Sequence, residues 1–84
     1  MTNRQVGERF LLGRTGTSLN MTSTGARLVS YNTVIAQWID DKLVFNDTKY
    51  SRTTSKQTNW IKDYAETVTS EFVPINTHDL RPYI

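Results

Sequence analysis

The sequence predicts an α+β fold: a three-stranded antiparallel meander with one amphipathic helix packed across it and an extended C-terminal tail. Two observations predict it. Between Arg27 and Phe45, three short runs rich in β-branched and aromatic residues are separated by turn-forming pairs. Further on, Thr54-Ser55-Lys56-Gln57 has the form of a capping box, a hydroxyl followed three residues later by an amide, and it leads into an apolar stripe at helical spacing.

The 84 residues are read as a single domain, 1–84, because a chain of this length has no room for two cores. Folding a chain this short buries roughly 60% of the surface its unfolded form exposes, so the core is thin. Residues 1–25 read as a loop-rich N-terminal segment, with Phe10-Leu11-Leu12 as an edge strand or a short helical turn. Gly13, Gly16, Gly25 and the many hydroxyls of 13–25 read as loop, with a short strand at Ser18–Thr22.

The meander occupies 26–46. Its strands are Arg27–Tyr31, Val34–Ile39 and Leu43–Phe45, joined by turns at Asn32-Thr33 and Asp40-Asp41. Strict alternation puts Val34, Ala36 and Trp38 on one face of the middle strand and Ile35 and Ile39 on the other. Both faces are apolar, so each needs a cover. The helix, 54–69, offers Trp60, Ile61, Tyr64, Ala65 and Val68 as one apolar stripe. The tail, 70–84, is extended and carries Phe72, Val73, Ile75, Tyr83 and Ile84, which cover the second face or meet a partner.

Composition excludes several functions. The chain has no cysteine, so neither a disulfide nor a thiolate metal site exists, and its single histidine, His78, rules out an all-nitrogen site. His78-Asp79 is not a dyad, since neighbours in an extended chain point apart. Asp40-Asp41 reads as a turn. No phosphate-binding glycine loop or nucleophile elbow is present. The expectation is therefore no enzyme, no catalytic residue, no metal and no cofactor. The longest apolar runs are three residues, so no membrane span is expected. Cytoplasmic residence follows as the default.

Charge is uneven. The net value is +2, but residues 48–62 carry Lys49, Arg52, Lys56 and Lys62 with no acid, and residues 63–84 carry four acids against Arg81. The basic run meets the expected helix N-terminus, where free N–H groups and the helix dipole favour an anion. The candidate nucleic-acid or anion site is therefore Lys49, Arg52, Thr53, Thr54, Ser55, Lys56 and Lys62, with Arg27 and the N-terminal arginines extending it. The alternative is that Thr54 caps a helix and the cations are solvated. Trp38, Tyr31, Phe45 and Tyr50 are either a stacking platform for bases or core, with core the expected place of Trp38 and Phe45.

Ser30-Tyr31-Asn32-Thr33-Val34-Ile35-Ala36 and Asn46-Asp47-Thr48-Lys49-Tyr50-Ser51-Arg52-Thr53-Thr54-Ser55-Lys56 resemble a set of small phage-encoded proteins of unassigned function. These share a Ser-Tyr-x-Thr-x-Ile-Ala segment and a motif close to Asn-x-x-x-Tyr-Ser-x-Thr-Thr-Ser-Lys. The resemblance runs from Tyr31 to Ile61 and covers about a third to two-fifths of the chain. It implies a phage origin and action in the host cytoplasm, and brings no assigned activity. Two functions stay open: a phage-type accessory protein binding nucleic acid through phosphates, or a protein-binding inhibitor or modulator of a host machine such as a defence nuclease or a polymerase. A homodimer is compatible with both.

Overall fold

A computed structural model describes residues 1–50 and 58–84. Its framework is a six-stranded sheet in sequential order: β1 (Thr15–Thr17), β2 (Met21–Thr24), β3 (Arg27–Ser30), β4 (Thr33–Ile39), β5 (Lys42–Phe45) and β6 (Thr67–Val68). The first five are antiparallel, and β6 pairs with β5 in parallel. A helix, α1 (Asn3–Leu11), precedes the sheet. The α+β class stands; the three-stranded meander is corrected to the centre of a larger mixed sheet.

The helix lies where a loop was expected, and its ends explain it. Thr2 caps it: the Thr2 hydroxyl accepts from the Gln5 amide, and the Gln5 side chain accepts from the Thr2 amide. At the other end Gly13 takes φ +70°. The Gly13 and Arg14 amides turn back to the Phe10 and Arg9 carbonyls, closing the helix with a Schellman motif. Val6, Gly7 and Phe10 form the buried stripe.

Among the described residues, the helix expected over 54–69 does not continue past Thr58. Residues 54–57 lie outside the described residues. From Asn59 to Tyr64 the chain forms a 3₁₀ helix, and Ala65 leaves it in an extended conformation. Thr67-Val68-Thr69 is β-branched throughout, and β5 has an open edge beside it. That edge captures the segment: the Glu66 and Thr69 amides donate to the Leu43 and Phe45 carbonyls. Ladder hydrogen bonds and β propensity outweigh the apparent helical period. Ile61 is fully buried, whereas Tyr64 and Val68 are exposed, so the supposed stripe is not one face.

Both hairpins flanking β4 are two-residue turns with positive φ at each central residue, Tyr31-Asn32 and Asp40-Asp41. The first therefore falls one residue earlier than expected. Between β3 and β4 the register slips: Leu28 faces Ala36, but Val29 faces Val34, leaving Ile35 as the extra residue of a β-bulge. The bulge breaks the strict alternation. Ile35, Ala36 and Trp38 join the core under α1 with Val6, Phe10, Met21, Leu28, Leu43, Phe45 and Ile61. Val34 instead shares the opposite face with Ile39 and Val44, covered by Val73, Leu80 and the half-buried Tyr83. Each face of the sheet thus has its own cover.

Candidate binding surface

The expected basic site begins where β5 ends, and that junction is tightly built. Asn46 is buried, and its side-chain amide donates to the Val34 carbonyl at 3.0 Å and to the Tyr50 hydroxyl at 2.9 Å. Its oxygen accepts from the Thr48 amide. The Tyr50 hydroxyl donates to the Val73 carbonyl, while the Val73 amide donates to the Thr48 hydroxyl at 2.9 Å. The Asp47 amide reaches the Thr69 hydroxyl at 3.1 Å. Residues 46–50 are thereby stitched to 69–73. Burial pushes the Tyr50 phenol above its ordinary pKa, against the hydrogen bonds from Asn46 and Thr48.

Of the seven residues expected to hold an anion, Arg52, Thr53, Thr54, Ser55 and Lys56 lie outside the described residues. Lys49 is exposed and lines a hollow with Asp47, Thr48, Thr69, Ser70, Glu71 and Phe72. Lys62 stands on the 3₁₀ helix, 2.9 Å from the Asp47 carboxylate. An acid just outside the basic run thus pairs with one of its cations.

The arginines expected to extend the site divide. Arg4 lies 4.2 Å over the Trp60 ring, which brings one cation of α1 onto the 3₁₀ helix, though it also pairs with Glu8 at 3.3 Å. Arg9 sits about 140° around the helix from Arg4, given 3.6 residues per turn. It lies near β1, where a Cβ on Gly16 would meet its side chain. Arg27 pairs with Gln37 across β3 and β4 and so faces the opposite side of the sheet. Arg4 is thus the arginine seen against the 58–64 segment among the described contacts.

The stacking candidates also divide. Phe45 is core, and Trp38 packs 5.9 Å from Phe10 while its indole N–H donates to the Phe10 carbonyl at 2.9 Å. Tyr50 is committed to the Asn46 network. Tyr31 is 62% exposed at the apex of its turn. Asp79 spends its carboxylate on the Arg81 amide and on Gln37, which hold its pKa below the usual carboxylate range. Among the described residues no group of three metal-ligating side chains converges.

A surface that composition did not single out lies at the Tyr31 end of the sheet. The Val34 amide donates to the Thr77 carbonyl, and the Asn76 amide donates to the Thr33 hydroxyl at 2.9 Å. These bonds hold the loop of Ile75 beside the turn of Tyr31. Phe72, next to the anchored Val73, has its ring 6.2 Å from that of Tyr50. Phe72 is 69% exposed and Ile75 66%. Three large apolar side chains therefore project from backbone fixed by hydrogen bonds. The signal in the sequence was the apolar tail, expected to cover the second face or meet a partner: Val73 and Tyr83 pack on that face, while Phe72, Ile75 and Ile84 stay exposed.

Fold and surfaces together define a small α+β domain with a mixed sheet and a different cover on each face. Among the described residues no helix is long and apolar enough to cross a membrane. Residues 3–73 match the model of a family of unknown function (DUF8033), and the chain belongs to that family. Comparisons with curated proteins and with solved structures gave no significant match.

Proposed function

We propose that this protein is a small, non-enzymatic accessory protein of the phage type that docks on a host protein in the host cytoplasm and modulates it. The observation that carries the reading is Tyr31. It takes φ +50° and is 62% exposed, at a turn position where Asn, Asp or Gly is the usual choice. The left-handed conformation costs an ordinary side chain roughly 1–2 kcal/mol. So exposed a ring recovers little of that by packing, and strain at an exposed aromatic points to a role outside the fold. Ile75 and Phe72 add apolar area at the same end, and the fixed backbone lowers the entropy lost on docking.

The test is affinity capture from host lysate with the wild-type chain and with a Tyr31→Ser, Phe72→Ser, Ile75→Ser variant that melts cooperatively. A protein captured in stoichiometric amount by the first and lost by the second supports the reading. Identical captures by both refute it.

The nucleic-acid reading has support of a different kind. Lys49 is exposed, Arg4 stands on Trp60 beside the 3₁₀ helix, and Arg52 and Lys56 keep the intervening run basic. It predicts binding of single-stranded or duplex probes that weakens steeply with salt and is lost on Lys49→Glu, Arg52→Glu. Fluorescence anisotropy of labelled DNA and RNA at several salt concentrations decides it.

A further inference from the structure

We infer that residues 74–84 form a detachable strap over the second sheet face, opening as a unit while the sheet stays folded. The family match ends at Val73, the residue that Thr48 and Tyr50 clamp on both its amide and its carbonyl. Beyond it the chain has no ladder pairing and only a three-residue 3₁₀ turn, Arg81–Tyr83. A single fully buried side chain, Leu80, anchors it, with Tyr83 half-buried alongside.

Its central polar tie runs through one residue. Gln37 is 2% exposed in the middle of β4, and both ends of its amide serve the strap: Nε2 donates to Asp79 at 3.0 Å, and Oε1 accepts from the Leu80 amide at 2.9 Å. A glutamine there suits a face that is sometimes wet. With the strap closed its hydrogen bonds are met by Asp79 and Leu80, and with the strap open water meets them. Opening uncovers Val34, Ile39 and Val44 around that amide.

The chain contains no cysteine, so an introduced thiol reports on one position alone. Leu80→Cys and Ile61→Cys each replace a fully buried residue, one in the strap and one in the core beneath α1. Under native conditions the strap thiol is expected to react with a thiol reagent at least about tenfold faster than the core thiol, and with a weaker dependence on denaturant. Equal rates with the same steep denaturant dependence would overturn the proposal. Should either variant fail to fold, hydrogen exchange on the wild-type chain decides. The Val34, Asn76 and Leu80 amides should exchange through one shallow opening, ahead of Trp38 and Asn46. Exchange of all five at the global unfolding rate would show that the strap is integral.

Discussion

At Gly7 two local effects oppose each other. Alanine is the better helix former by roughly 1 kcal/mol. Yet a Cβ there would lie 2.7 Å from one carbon of the Trp60 ring and 3.1 Å from the next. Overpacking of this kind costs about 1–3 kcal/mol, so Gly7→Ala is expected to lower the thermal midpoint and disturb Trp60 fluorescence. Asn46 is the more exposed to substitution in energetic terms. Asn46→Ala leaves the Val34 carbonyl, the Tyr50 hydroxyl and the Thr48 amide each short of a partner. The expected loss is about 2–3 kcal/mol in a urea titration. Tyr50 links that network to pH. Its folded-state pKa is raised, so its contribution is present below the ordinary phenol value near 10 and is lost as pH rises through the folded value. Stability should therefore fall above about pH 10, and Tyr50→Phe should flatten that limb. Tyr31→Asn runs the other way: relief of the left-handed aromatic should raise stability by about 0.5–1 kcal/mol.

The elements were legible to different degrees, for physical reasons. The strands β3, β4 and β5 could be read because β-branched runs and tight turns are local signals, and Asp40-Asp41 forms its turn as expected. The capping box Thr2-x-x-Gln5, followed by Val6 and Phe10 four apart, marks α1 just as clearly. The bulge at Ile35 had no local mark, and it decides which core Val34 enters. The segment 65–69 departs from the helical expectation because its fate depends on an open edge of β5, which helical periodicity cannot register. Of the candidate site, the pairing of Lys62 with Asp47 joins residues fifteen apart and is likewise a product of the fold. That pair is part-exposed, so Lys62→Ala should change stability by less than about 1 kcal/mol. The strap carries its own pH signature. Asp79 has a lowered folded-state pKa, caused first by the Arg81 amide and then by Gln37. Its contribution is therefore complete above the unfolded carboxylate value and lost as pH falls through the folded one. Acidification below about pH 4 should accelerate exchange of the Leu80 amide.

Taken whole, the molecule is a sheet with two unlike covers. One is a capped helix and a 3₁₀ helix packed on a continuous core, and the other is a strap tied at its centre by one glutamine and nearer its ends by the Val34–Thr77, Asn76–Thr33 and Ser70–Tyr83 hydrogen bonds. At one end the chain holds three large apolar side chains outward on anchored backbone, including an aromatic in a conformation that stability alone would select against. Binding and stability should therefore separate at Tyr31. The decisive measurement is the affinity of the captured host protein for Tyr31→Asn relative to the wild-type chain. At least about tenfold weaker binding, roughly 1.4 kcal/mol, in a variant that melts higher than wild type is the predicted result. Unchanged affinity in that better-folded variant would contradict docking through this end of the sheet.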